Sequence, residues 1–244
     1  MKALVTGASR GIGRAIAVGL AEDGAEVIGI HYASNQTAAE QTAKLVADAG
    51  ATPVLIEAPL DRDGVGAARS VAARFLEHAG AIDVLVNNAG TNGNQPLGEI
   101  DEDTYRRVIE LNLTAPLFLI QELAPAFRDN GRIVNISTGF TRVAAPTHPV
   151  YAATKGAINT LGLALAPTFG PRGITINAVM PGIIDTDMNA WLDDPEARAG
   201  AAALSVFNRI GTVEDVADLV RHLASDAGRW TTGQVIDATG GSAL

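Results

Sequence analysis

The chain has 244 residues, of which 47% are hydrophobic and 18% charged, with 26 glycines; this mixture suits one folded α/β domain and excludes a disordered chain or a coiled coil. A net charge of -9 argues against a nucleic-acid or anionic-membrane surface, because phosphate binding is built on clustered Lys and Arg. With no cysteine, disulfides, thiolate metal sites and a cysteine nucleophile are excluded.

Ala3-Leu4-Val5 is a short apolar run leading into Thr6-Gly7-Ala8-Ser9-Arg10-Gly11-Ile12-Gly13, and a helical pattern follows over 14–22, closing near Gly24. Strand, glycine-rich turn and helix in this order make a phosphate cradle, with backbone N–H groups and the positive end of the helix facing a pyrophosphate. The first residues therefore read as a strand rather than a signal peptide, and no apolar run approaches 18 residues, so a cytoplasmic protein is expected. Residues 26–30 give a second strand, 37–49 a helix capped by Gly50, and 53–57 a third strand. In such βαβαβ units an acidic residue after the second strand holds the adenosine ribose. Here the stretch is His31-Tyr32-Ala33-Ser34-Asn35, without a carboxylate. Tyr32, Ser34 and Asn35, with Arg10 from the first turn, favour the 2'-phosphate of NADP over NAD.

A fourth strand, Val84-Leu85-Val86, ends in Asn87-Asn88-Ala89-Gly90, at the sheet edge where ligands sit. Helical patterns over 102–111 and 115–127 flank Asn112, and a fifth strand over 131–136 ends in Ser137-Thr138. A long helix over 150–169 is interrupted near its end by Pro167; a sixth strand, 174–179, leads to Met180-Pro181-Gly182. The pattern weakens over 183–208, which reads as a mobile substrate lid, before a helix over 213–224 and a seventh strand over 233–237. No repeat or linker divides the chain, so residues 1–244 are expected to form one domain of Rossmann type: a doubly wound, mainly parallel sheet of seven strands with helices on both faces.

Tyr151 and Lys155 stand at i and i+4 at the start of the long helix, where both side chains share one face. A phenol has an ordinary pKa near ~10, and a cation a few ångströms away favours its anion. The pair is thus suited to proton transfer, with Lys155 lowering the pKa of Tyr151.

The glycine turn, the Asn-Asn-Ala-Gly strand end, a hydroxyl pair, Tyr-x-x-x-Lys and Pro-Gly, all in this order, resemble the short-chain dehydrogenase/reductase family over nearly the whole chain. Within it the sequence is most similar to the 3-oxoacyl-[acyl-carrier-protein] reductase group, through residues 6–13, 131–137, 172–177 and 211–241. The resemblance implies hydride transfer between NADP and a carbonyl or alcohol, with Tyr151 as acid or base, Lys155 binding the nicotinamide ribose, and Asn112 holding a water in the proton relay. It also implies cofactor contacts from Gly7, Ser9, Arg10, Gly11, Ile12, Gly13, Leu60, Asp61, Asn88, Ala89, Gly90, Pro181, Gly182, Ile184 and Thr186, and a homotetramer or homodimer. The substrate-orienting hydroxyl falls on Thr138, with Ser137 as the alternative. Pro59 replaces the aspartate that touches adenine in the family, leaving Asp61 two positions later.

The expected activity is NADPH-dependent reduction of a 3-oxoacyl thioester or related polyketide ketone, with Arg128, Arg132 and Arg172 as a docking patch for a carrier-linked acyl substrate. The alternatives are a dehydrogenase of a small polyol, sugar or cyclic alcohol, and a cofactor-binding regulator without turnover. The four histidines share no metal-ligand spacing, so no metal is expected; His148 reads as a surface loop residue, with contact to substrate from the loop before the long helix as the alternative.

Overall fold

The computed structural model describes residues 1–242; the last two residues of the expected domain lie outside the described part. Seven strands, β1 (Lys2–Val5), β2 (Val27–Tyr32), β3 (Thr52–Glu57), β4 (Ile82–Asn87), β5 (Phe127–Ile136), β6 (Thr175–Pro181) and β7 (Val235–Ala238), form one sheet in the order β3-β2-β1-β4-β5-β6-β7. Every neighbouring pair is parallel, rather than most of them. Parallel neighbours need crossovers, and these are the helices α1 (Gly11–Glu22), α2 (Gln36–Asp48), α3 (Gly64–Ala79), α4 (Glu102–Ile109), α5 (Ala115–Leu123), α6 (Pro149–Phe169), α7 (Pro195–Ala203) and α8 (Val213–Ala224).

The helices cover the sheet on two sides, and this explains why its central strands read as continuous apolar runs. On one face Ile16 and Leu20 of α1, Val46 of α2 and Val220 of α8 pack on Val5, Ile30 and Val86. On the other, Val71 and Phe75 of α3, Leu119 and Leu123 of α5 and Phe169 of α6 pack on Leu4, Leu85 and Ile133. The chain order reverses at β1, which lies between β2 and β4, so the glycine turn opens at the crevice where such sheets bind ligands.

Four expectations about elements change. The helix α3 was not anticipated; Asp63 caps it by accepting the Gly66 amide at 2.9 Å, and Gly80 closes it in the left-handed region at φ 70. The strand β5 begins four residues early, at Phe127, because the preceding helix ends at Leu123. Pro167 does not interrupt α6, which runs on to Phe169 with the Leu163 carbonyl deprived of its N–H partner. The segment expected as a mobile lid, 183–208, carries regular structure: a 3₁₀ stretch (Asp187–Asp193) precedes α7, Asp194 caps that helix, and Arg198 ties back to the Leu192 carbonyl and the Asp185 carboxylate, both at 2.9 Å.

Candidate active site

The glycine turn is held by hydrogen bonds from β4. Thr6 Oγ1 accepts the amides of Asn88 at 2.9 Å and Ala89 at 3.0 Å, and Asn88 Nδ2 donates to the carbonyls of Thr6 at 2.9 Å and Gly7 at 3.2 Å. Asn88 therefore braces the turn with its side chain instead of offering it to a ligand. Gly7 sits at φ 62, in the left-handed region, and a Cβ on Gly13 would lie 2.3 Å from the Gly7 carbonyl and 2.5 Å from Asn88 Nδ2. Only glycine permits the helix to approach the turn this closely. Arg10 occupies the N-cap of α1 without a side-chain bond to the first-turn amides, and no acidic residue stands in that turn. The amides at this helix end are thus free of any side-chain cap, which fits the pyrophosphate of a dinucleotide.

Around the turn the remaining candidates divide. Ser34 and Asn35 are exposed beyond β2, although Asn35 Oδ1 is engaged in capping α2 through the Ala38 amide at 3.0 Å. Arg10 is exposed and donates to Asp187 of the lid at 2.8 Å, so a 2'-phosphate would have to replace that partner. Tyr32, Leu60 and Ile184 are buried in the core. These three shape the cleft from behind, or through their main chain, instead of presenting side chains to it. Thr186 stands over the turn: a Cβ on Gly11 would meet its methyl at 3.6 Å. Pro181 closes β6, with Gly182 packed against the Thr239 backbone.

The second half of the site is made of side chains. Asn112 is fully buried in a π-helical turn (Glu110–Thr114) between α4 and α5, a local irregularity frequent at functional sites. Its Oδ1 accepts the Thr91 amide at 3.0 Å, and its Nδ2 donates to the Thr91 carbonyl at 2.8 Å and to Thr154 Oγ1 at 3.3 Å. A Cβ on Gly90 would stand 3.3 Å from Asn112 Oδ1 and 3.5 Å from Lys155 Nζ, so Gly90, Asn112 and Lys155 converge on one spot.

Lys155 is buried, and its Nζ donates to the Ile136 carbonyl at 2.7 Å while standing 5.9 Å from the centroid of the Tyr151 ring. Burial lowers its ammonium to about 8, still largely protonated at neutral pH. Tyr151 departs from the expectation. Burial raises its phenol above the ordinary value, and the neighbouring Thr138 hydroxyl partly offsets the rise; Lys155 Nζ is aimed at the Ile136 carbonyl, and its charge does not outweigh that burial. The phenol therefore carries its proton at neutral pH, as an acid must. Of the two hydroxyls it is Thr138 that lowers the Tyr151 phenol, whereas Ser137 is buried without a hydrogen-bond partner for its Oγ, as alternation at a strand end requires.

Sequence reasoning missed Phe140 and placed His148 in the loop before the long helix. Phe140 lies edge-on to the Tyr151 ring at 6.3 Å, and His148 packs against Phe140 at 5.2 Å and Tyr151 at 6.5 Å. His148 is a half-buried part of an aromatic wall rather than a free loop residue. Its place directly before α6 was the available signal. Of the three arginines considered for carrier docking, Arg132 is buried and donates to the Ser225 carbonyl, while Arg128 pairs with Asp83 and Arg172 with Asp129.

Residues 7–243 match the family model described as enoyl-(acyl carrier protein) reductase. The chain belongs to the short-chain dehydrogenase/reductases. Versicolorin reductase of Emericella nidulans is 37% identical over 253 residues, 98% of this chain and 94% of that relative. Among solved structures, LugOII, a promiscuous reductase that catalyses keto-reduction at C1 during lugdunomycin biosynthesis, superposes with a TM-score of 0.92 at 40% identity, covering 100% of this chain and 98% of the other. The angucycline C-6 ketoreductase LanV, with bound NADP, gives 0.91 at 38% identity over 98% of this chain and 94% of the other. Membership makes this reductase an oxidoreductase of carbonyl and alcohol groups. Among the described residues no cluster of three or more His, Asp or Glu could hold a metal ion, and no helix is long and apolar enough to cross a membrane.

Proposed function

We propose that this reductase uses NADPH to reduce a ketone on a free polyketide scaffold with fused rings. The observation that carries the reading is the aromatic wall that Phe140, 6.3 Å away, and His148, 6.5 Å away, build beside the Tyr151 ring. An aromatic wall beside the acid suits a planar ring. The similar reductases act on polyketide ketones, and the burial of Arg132 together with the pairing of Arg172 to Asp129 weighs against docking of a carrier-linked thioester. NADP is favoured over NAD by the lack of a carboxylate after β2 and by the NADP bound to the similar LanV.

When bound along the glycine turn, NADPH would supply the hydride for the carbonyl carbon. Tyr151 gives its phenolic proton to the carbonyl oxygen, with the Thr138 hydroxyl holding that oxygen in place. Lys155 binds the nicotinamide ribose and keeps a positive charge beneath the phenolate that forms. Because both ends of the Asn112 amide are engaged by Thr91 and Thr154, a relay water would take its main-chain carbonyl.

The assembly we assign is a homotetramer or homodimer in the cytoplasm, supported by the apolar Leu163, Trp230 and Val235 exposed on α6 and around β7; the mass in solution tests it. For the activity, NADPH and NADH oxidation is followed with a fused-ring aromatic ketone, a short 3-oxoacyl thioester and a 2-enoyl thioester. Turnover of the ring ketone with NADPH, lost in Tyr151→Phe, is expected; turnover of a thioester alone overturns the substrate assignment.

A further inference from the structure

His31 is the penultimate residue of β2 and is 2% exposed, and neither the motif reading nor the family resemblance gives it a role. Both its ring and its backbone are turned on the glycine turn. The Gly7 amide donates to Nδ1 at 3.1 Å, and the Ala8 amide donates to the His31 carbonyl at 2.9 Å. On the other side Nε2 stands 2.9 Å from the Ala58 carbonyl, just beyond β3. A carbonyl can only accept, so Nε2 carries the proton and Nδ1 presents a bare lone pair to Gly7. Only this neutral tautomer serves both neighbours. Burial keeps it so, lowering the imidazole to about 4.

We infer that His31 is a positioning residue for the nucleotide cofactor: it fixes the Gly7 peptide, and with it the row of turn amides, and joins that turn to the loop carrying Leu60 and Asp61. Gly7 leaves no room for adjustment, since a Cβ there would already lie 3.0 Å from the Ala89 backbone. Rotating the Thr6–Gly7 peptide, which carries the Gly7 N–H, would swing the Thr6 carbonyl away from Asn88 Nδ2, which holds it at 2.9 Å. The imidazole therefore settles a geometry that the β4 brace alone shares. The inference rests on the nicotinamide-cofactor reading above.

The test exploits which ring nitrogen each amide side chain can replace. His31→Asn sets an oxygen near the position of Nδ1 and keeps the acceptor for Gly7; His31→Gln reaches toward Ala58 and leaves the Gly7 amide without a partner. NADPH affinity is measured by the rise in its fluorescence on binding, together with the thermal midpoint of each unliganded variant. The expected result is an affinity within about threefold of wild type for His31→Asn and a loss on the order of tenfold or more for His31→Gln, with similar midpoints. Equal weakening in both variants, or none in His31→Gln, overturns the inference. Should His31→Gln fail to fold, the histidine ¹⁵N spectrum of the wild type decides: Nδ1 is unprotonated and shifts when NADPH is added, and an unmoved Nδ1 resonance overturns it. Wild type that binds neither NADPH nor NADH instead overturns the cofactor reading, and this inference with it.

Discussion

His31 in the nucleotide half of the sheet and Lys155 in the catalytic half are both taken out of water, and burial lowers both, to about 4 and about 8. The imidazole is neutral at pH 7 and has a partner on each nitrogen. The ammonium remains charged at pH 7, with a single carbonyl acceptor. The contrast shows how the two halves reach one sheet edge. The first presents backbone amides and needs quiet, satisfied side chains around them; the second presents side chains and keeps a charge that the fold by itself does not favour.

The strongest way to break this contrast is Tyr151→Phe, which keeps the ring packing with Phe140 and His148 but removes the proton donor; turnover should fall by roughly 10²–10⁴ while NADPH affinity stays. Equal losses of both would mean that the halves are not separable. A titration of stability sharpens the contrast further. Both groups bind protons more weakly folded than unfolded, so stability rises with pH in both windows. For His31 the rise runs from about 4 to the ordinary 6.5; for Lys155 it runs from about 8 to 10.5. Each is worth about 3 kcal/mol if the shift is fully expressed. Denaturant unfolding across pH should lose the acid window in His31→Asn and the alkaline window in Lys155→Met.

Gly13→Ala tests the claim that the nucleotide half is limited by space. With its Cβ 2.3 Å from the Gly7 carbonyl, the helix must retreat, at a cost of about 1–3 kcal/mol, and NADPH binding should weaken at least tenfold; unchanged binding in a fluorescence titration would remove the close approach from the account. The smallest effect is the change in stability of Lys155→Met. Turnover is lost, yet the penalty of a buried charge is relieved and only about 1 kcal/mol of hydrogen bonding is given up. Its thermal midpoint should rise by a few degrees.

Much of this was legible in the sequence because it lies in local patterns. Glycine spacing marks the turn, and i, i+4 spacing places Tyr151 and Lys155 on one helix face. The helix α3 was legible too, with Asp63 as cap and Ala68, Val71, Ala72 and Phe75 at helical spacing, but its glycine-rich start hid it. What no local pattern carries is the partner of a side chain across strands. That Asn88 braces Gly7, that Lys155 turns to Ile136 rather than to the phenol, and that Arg132 is buried against Ser225 are decided by residues 19 to 93 positions apart. Long-range packing likewise turned His148 from a loop residue into part of the wall.

Because β1 lies between β2 and β4, the turn cannot reach its final form early in synthesis. Its Thr6 and Gly7 carbonyls and the Thr6 hydroxyl wait for Asn88 and Ala89, more than eighty residues later on the ribosome. A nascent chain released before β4 has emerged would carry every glycine of the cradle and still lack its shape, with an unpaired central strand open to wrong partners.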